Sequence, residues 1–299
     1  MDTKYKNLLY LIIIICVLLI LYFYMTKKVE NFENNEKIEL EIVENNGGGF
    51  FSNFNMLIYN LTHYKTVNKI NFNVKSNKKA KVLYFIKENE ELFSKLFDVY
   101  DDGMTSTKKI VSKRYIDYSI TGKGAYNYYN ENRNKLQPYH DTYKKYIKIK
   151  KELQKKINKK CVELKENTDQ LICIFVRSYA LHKEQPSRKM PSRDDYDKTI
   201  ENIPKSNNVK YFLCVDNNND LEYYKNKYTP NYYTAIRRTR HKKDGEPHKN
   251  TIGTLTDLED SFIEVVIMSQ CDILVHCVSN MATASLYINM KQQSVCVSK

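Results

Sequence analysis

The sequence predicts an α/β protein of two doubly wound lobes preceded by a single transmembrane helix. Three observations predict it. Leu8–Met25 is an uncharged apolar run, the segment after it reads strand, glycine run, helix, and from Leu171 onward short apolar runs alternate with runs of helical period. The 299 residues, 42% of them hydrophobic, suffice for one large domain or two modest ones.

The apolar run LLYLIIIICVLLILYFYM is about 18 residues long and, as a helix, spans about 27 Å, close to the hydrocarbon thickness of a thin bilayer. Tyr10, Tyr22 and Tyr24 stand near its ends, where amphipathic rings favour the interface. The run exceeds the apolar core of a cleaved signal and no small-x-small site follows it, so an uncleaved anchor is expected. Lys4 and Lys6 before it balance Lys27 and Lys28 after it, leaving orientation unset by charge. One anchor before one catalytic-sized body suggests a cytosolic N-terminus and a lumenal body, as in an ER- or Golgi-like membrane. Asn60-Leu61-Thr62 is a glycosylation sequon in keeping with that side.

Residues 1–36 are thus expected to be tail, anchor and a short polar stem, residues 37–165 a first α/β lobe with connecting helices, and residues 166–299 a second α/β lobe. The first lobe opens with the alternating strand Ile38–Val43, then Gly47-Gly48-Gly49, then a helix with apolar Phe54, Leu57, Ile58 and Leu61. Strands follow at Ile70–Val74 and Lys81–Ile86, with a helix over Glu88–Leu96. Tyr139–Lys160 reads as one Lys-rich amphipathic helix. Its lysines form either a polyanion-binding face or a solvated one.

In the second lobe Leu171–Val176 is a continuous apolar run, as in a strand buried on both faces. Ser192 with Asp195 is a helix-capping pair, and Tyr196, Ile200 and Ile203 follow at helical spacing. Then come a strand at Val209–Val215, a helix from Asp220, a short strand near Tyr232–Ile236, a helix over Asp257–Ser269, a strand at Asp272–Val278, a helix from Asn280, and a strand at Ser294–Ser298. Two such lobes are expected to face one another across a cleft at their strand C-termini.

The candidate ligand groups are the residues at strand ends and helix starts. Gly48 and Gly49 permit a tight turn and close backbone approach before the first helix, although the run matches neither a G-x-G-x-x-G fingerprint nor a phosphate loop. Arg177 directly follows the buried run Leu171–Val176, where a guanidinium grips a pyrophosphate by paired hydrogen bonds. Asp216 ends the next strand. Ser279 and Asn280 end the strand Asp272–Val278 and open a helix, a good place for an anionic phosphate. Arg238 lies in the basic segment Ala235–His248.

The formal charge of +13 favours anionic partners without choosing among them. No recognised nucleic-acid reader motif is present, so no specific nucleic acid is expected. The seven cysteines contain no C-x-x-C pair. Cys173, Cys214, Cys277 and Cys296 lie in strand-like runs as small buried hydrophobes, Cys16 lies in the apolar run, and Cys161 and Cys271 are open. With no zinc-type His cluster and no D-x-D (Asp101-Asp102 and Asp194-Asp195 are simple pairs), no metal and no resident cofactor are expected.

GGGFFSNFN (Gly47–Asn55), ICIFVRSY (Ile172–Tyr179), VKYFLCVDNNNDLEYYKNKY (Val209–Tyr228) and DLEDSFIEVVIMSQCDILVHCVSNMATASLYIN (Asp257–Asn289) resemble the fucosyltransferase-like glycosyltransferases, the superfamily of core α1,6-, protein O- and nodulation fucosyltransferases. The resemblance implies two Rossmann-like lobes of GT-B type, the second binding a nucleotide-sugar, with a GDP-sugar as donor and a glycan or glycoprotein as acceptor. It further implies Arg177 as the pyrophosphate-binding arginine, Asp216 as the strand-end aspartate, Glu264 as the acidic helix position, Ser279-Asn280 as the phosphate-side pair and Arg238 as the loop arginine, with Gly48, Gly49 and Asn53 on the donor side of the first lobe. The family commonly carries His-x-Arg followed by an aspartate. Here Phe175 replaces the histidine and Ala180 stands in place of the aspartate.

The implied reaction is metal-independent transfer with inversion. Glu184 is the candidate base and His182 the alternative, while Arg177 steadies the departing diphosphate. The other expectation is a catalytically inactive, membrane-tethered nucleotide- or glycan-binding protein.

Overall fold

The computed structural model describes residues 14–19, 37–42, 50–64, 66–73, 91–112, 133–177, 191–215, 218–229, 231–234 and 255–297. The strands are β1 (Ile38–Ile42), β2 (Val67–Phe72), β3 (Phe97–Asp98), β4 (Lys108–Ser112), β5 (Lys148–Ile149), β6 (Gln170–Val176), β7 (Val209–Val215), β8 (Tyr232–Tyr233), β9 (Ile273–His276) and β10 (Gln293–Cys296). The helices are α1 (Phe50–His63), α2 (Gln137–Tyr146), α3 (Lys151–Lys165), α4 (Arg193–Glu201), α5 (Asn218–Tyr228), α6 (Leu255–Ser269) and α7 (Asn280–Ile288).

Two parallel sheets result, ordered β2-β1-β4 and β10-β9-β6-β7-β8, together with a small antiparallel pair, β3 with β5. In both parallel sheets the first strand in sequence lies inside the sheet. The chain runs outward to one side of it and then crosses to the other, which opens a crevice at the C-terminal end of that strand.

The five-stranded sheet is covered on both faces, and strand alternation sorts its side chains. Ile172, Ile174, Val176, Tyr211, Leu213, Ile273 and Val275 pack with Tyr196 and Ile200 of α4 and Tyr224 of α5. Leu171, Cys173, Phe175, Phe212, Cys214 and Leu274 join a larger core that takes in α6, α7, α1 and the three-stranded sheet. The two halves therefore share one continuous core rather than facing each other only across a cleft. At its centre is α1, with Phe50, Phe51, Phe54, Met56, Leu57, Ile58 and Leu61 all buried. The fully buried ring of Phe54 meets Phe262 of α6 at 5.8 Å, Phe97 at 5.6 Å and Tyr287 of α7 at 6.4 Å.

Several expectations need correction. Tyr139–Lys160 is not one helix: α2 stops at Tyr146, Ile147 turns extended (φ −90°, ψ 105°), and β5 pairs with β3 before α3 begins. Apolar spacing does not mark the break, since Tyr146 and Ile149 stand seven and four residues before Leu153 and would continue a helical stripe; the pairing of Lys148 and Ile149 with Asp98 and Phe97 takes the segment out of the helix. Glu88–Leu96 ends in a short 3-10 turn, Phe93–Lys95, where the Glu91 carboxylate accepts from the amides of Phe93 (2.9 Å) and Ser94 (2.5 Å). The sequon at Asn60 is closed. Asn60 lies inside α1, is buried, and donates through Nδ2 to the Met56 carbonyl at 2.8 Å, so it lends no support to a lumenal side.

The expected strand Lys81–Ile86 lies outside the described residues. So does the anchor run apart from residues 14–19, which are helical and leave Ile14, Val17 and Leu18 about half exposed or more. Among the described residues no helix is long and apolar enough to cross a membrane.

The strands β3 and β4 were not expected from the sequence, and β2 begins at Val67, three residues before the expected Ile70, whereas the elements of the second half follow the sequence closely. Ser192 caps α4, its Oγ accepting from Asp195 N at 3.2 Å while Asp195 accepts from Ser192 N at 2.8 Å. Cys173, Cys214, Cys271 and Cys277 are buried free thiols, Cys161 and Cys296 are half-buried, and Cys16 is exposed.

Because α1 is the shared centre of the core, Phe54→Ala is expected to destabilise the fold by about 3–5 kcal/mol. Urea unfolding followed by circular dichroism measures this, and a loss under about 1 kcal/mol would contradict the shared core.

Candidate functional site

The crevice in the larger sheet lies between β6 and β9, where the chain switches from one side of β6 to the other. Phe175 is in register with His276, so Arg177 and Ser279 leave neighbouring parallel strands at the same end. Adjacent strands lie about 4.8 Å apart. Arg177 is half-buried. Strand alternation carries it to the same face as Cys173 and Phe175, the face that looks toward α1, α6 and α7.

Ser279 is an N-cap in extended conformation (φ −155°, ψ 150°). Its Oγ accepts from Met281 N at 3.2 Å, and its carbonyl accepts from the Thr283 amide at 3.0 Å and from the Thr283 hydroxyl at 3.1 Å. The hydroxyl therefore serves the helix first, and the start of α7 supplies the positive end of a dipole at the crevice.

Asn280 ties the two halves together. Asn55 of α1, fully buried, donates through Nδ2 to the Asn280 carbonyl at 3.1 Å and to its Oδ1 at 3.4 Å, and Asn55 Oδ1 accepts from the Tyr287 hydroxyl at 2.9 Å. The helix that follows the first lobe's glycine run is thereby fastened to the helix start of the second lobe. Asn53 is also buried in α1, but Asn55 is the amide that makes this bridge. Sequence reasoning passed over Asn55, although an amide must find a partner once its helix is buried.

His276 was passed over too. It is fully buried one strand over from Arg177, its Nδ1 2.8 Å from the Cys277 carbonyl and its Nε2 2.8 Å from Ser294 Oγ. A carbonyl only accepts, so Nδ1 carries the proton and Nε2 accepts from the serine. Burial pushes its pKa down to about 4, and the nearby Arg133 guanidinium adds to the effect. Arg133 binds the end of α7, donating through Nη2 to the carbonyls of Leu286 (3.3 Å) and Asn289 (3.2 Å), and burial lowers its own pKa to about 10.

Glu264 is buried in α6, and its charge helps raise the Cys173 thiol, which burial has already pushed well up. Cys173 lies about 13 Å back along β6 from Arg177, so the neighbour seen for Glu264 is in mid-sheet rather than at the strand ends. Phe175 is buried in the shared core, and its carbonyl accepts from the Tyr196 hydroxyl at 2.9 Å. Gly48, Gly49, His182, Glu184, Asp216 and Arg238 lie outside the described residues, as does Ala180.

Elsewhere, a cavity of about 360 Å³ is lined by Glu39, Lys69, Asp101 and Gly103–Ser106, near the N-terminal end of β1 and opposite its glycine-run end. Asp101 and Asp102 hold the turn there by accepting from Gly103 N and Met104 N. Among the described residues no group of three His, Cys, Asp or Glu side chains is placed to hold a metal ion.

No protein-family model matches the chain, and no curated protein matches it by sequence. Solved structures it is similar to include fucosyltransferases. The fucosyltransferase NodZ from Bradyrhizobium is 11% identical over 85% of this chain and 93% of that one, with a TM-score of 0.49. POFUT1 in complex with GDP-fucose is 11% identical over 88% of this chain and 97% of that one, at 0.46. FUT1 of Arabidopsis thaliana in complex with GDP is 10% identical over 85% of this chain and 68% of that one, at 0.42. Overlaps of this size leave activity to be read from the chain's own strand ends.

The buried imidazole makes stability depend on pH in a defined direction. An unfolded histidine takes up its proton near pH 6.5, whereas His276 resists until about pH 4. Its contribution is present in full above about 6.5 and is lost as pH falls toward 4, by up to about 3 kcal/mol. Urea midpoints for wild type and His276→Gln across that window measure it. The two are expected to converge as pH falls, and parallel curves would show that His276 does not titrate as described.

Proposed function

We propose that the chain is a membrane-anchored glycosyltransferase that moves a fucose-like sugar from a nucleotide-diphosphate sugar, a GDP-sugar for preference, to a hydroxyl of a glycan or glycoprotein. The observation that carries this reading is the departure of Arg177 and Ser279-Asn280 from neighbouring strands at the switch point of the five-stranded sheet. A guanidinium and a helix start side by side suit a diphosphate better than any neutral ligand. The anchor in this reading is Leu8–Met25. It is supported by the length and apolarity of that run and by the exposed apolar side chains of residues 14–19.

The chemistry follows from those groups. The acceptor oxygen attacks the anomeric carbon from the face opposite the nucleotide, the bond from that carbon to the β-phosphate oxygen breaks, and the configuration inverts. The acceptor's proton passes to a carboxylate or imidazole, for which Glu184 and then His182 are the candidates. Arg177 and the N-terminal dipole of α7 take up the charge that grows on the departing diphosphate, so no metal is called for in this scheme.

A second reading, a catalytically inactive, membrane-tethered nucleotide- or glycan-binding protein, is favoured by Phe175, an apolar ring buried where the family carries a histidine.

Calorimetry with GDP and GDP-fucose tests the donor site. Arg177→Ala is expected to weaken binding by about 10²-fold or more while leaving the thermal midpoint unchanged, because Arg177 is only half-buried. Unchanged affinity would remove the physical basis of the assignment. Release of free GDP from GDP-fucose in the presence of acceptor glycans separates the enzyme from the binding protein.

A further inference from the structure

The lysines of α3 are not accounted for by the site. Leu153, Ile157 and Leu164 face the core, and on the opposite side Lys151, Lys155, Lys159 and Lys165 are exposed together with Val162. At 100° per residue, positions 151, 155, 158, 159, 162 and 165 fall on one outward strip about 22 Å long. Val162 is 73% exposed, the most exposed large apolar side chain among the described residues. Of the acids, Glu152 stands at the edge of the strip, held by Lys155 at 2.8 Å, and Glu166 follows the last helical turn. Lys156, off the strip, is engaged by Glu259 of α6 at 2.5 Å, which fastens the inner side of α3 to the body.

We infer that this strip docks on an anionic lipid surface, with the ammonium groups among the headgroups and Val162 entering the interface between them. The inference rests on the anchor reading above, with the body on the anionic, cytoplasmic leaflet rather than on the lumenal side, which the buried Asn60 does not support. If Leu8–Met25 spans the bilayer, Thr26–Ile38 reaches roughly 45 Å at most, so the body cannot leave the neighbourhood of the headgroups. A rigid helix with four lysines and a central apolar residue on its outer side complements that surface. Each lysine near anionic lipid adds attraction that decays within a Debye length. Docking would fix the orientation of the strand-end crevice relative to the membrane.

The chain contains no tryptophan, so Val162→Trp supplies a single reporter at an exposed position. The full-length variant is reconstituted in vesicles of phosphatidylcholine alone or with about one part in three phosphatidylserine. With phosphatidylserine the emission is expected to move to shorter wavelength and to be quenched by brominated acyl chains, and high salt should reverse both. Replacing Lys151, Lys155 and Lys159 with Gln should weaken the response by about 10²-fold. Identical emission in the two lipids, or in the lysine variant, would overturn the docking. So would a response in detergent to added RNA that exceeds the response to lipid, which would mark the strip as a nucleic-acid face. Alkaline carbonate extraction of the same vesicles reports on the anchor separately. Protein released by carbonate sinks the anchor reading, whereas retained protein with no lipid-dependent emission sinks only the docking.

Discussion

The burial of α1 between the three-stranded sheet and the helices α6 and α7 is the constraint on which the rest of the structure depends. A surface helix buries one stripe, but α1 buries nearly its whole length and carries no charge before His63. Phe54 at its centre meets aromatic rings from three other segments. The two halves are consequently not hinged bodies joined only by linkers. Relative motion would have to shear a packed aromatic cluster, which resists gradual deformation.

Asn55 lends direction to this otherwise non-directional packing. Hydrophobic contact fixes how close two elements lie, whereas a buried amide fixes which atoms oppose each other, because leaving it unpaired costs more than the bond itself contributes. Through the carbonyl and side chain of Asn280, Asn55 sets the first turn of α7 relative to α1. The crevice thus inherits its geometry from both sheets. Strand register brings Arg177 and Ser279 to the same end, and the Asn55 bridge holds the first lobe over them.

The second lobe was legible in the sequence almost element by element. Its central strands β6 and β9 are buried on both faces and α4 and α7 carry serine caps, so local pattern and tertiary placement agree; β7 and the Ser192 cap fall where the pattern put them. The candidate site was legible only in part. Arg177 and Ser279 stand out because strand ends and helix starts are marked in sequence. Asn55 and His276 do not, because what matters about them is a partner across the fold. The broken helix at Ile147 was not legible, because Tyr146, Ile149 and Leu153 keep a helical spacing and what takes the chain out of the helix is the pairing of β5 with β3 across the fold. The sequon misled for the opposite reason: the motif is local, but Asn60 is spent on the Met56 carbonyl inside a buried helix.

Phe175 narrows the chemistry that remains. Its parity in β6 directs it to the same face as Cys173, and there it closes the shared core just short of the strand ends. A phenyl ring there cannot carry a proton, and in the proposed donor site it would strengthen the field of Arg177 on a bound diphosphate by excluding water. His276, the nearest imidazole in the sheet, cannot substitute, since its Nδ1 and Nε2 are both engaged by internal partners. Under the proposed function, proton transfer is left to Glu184 or His182, which follow Arg177 in the sequence. On that reading, the difference between a transferase and a protein that only holds its donor reduces to whether Glu184 or His182 serves the acceptor hydroxyl as a base.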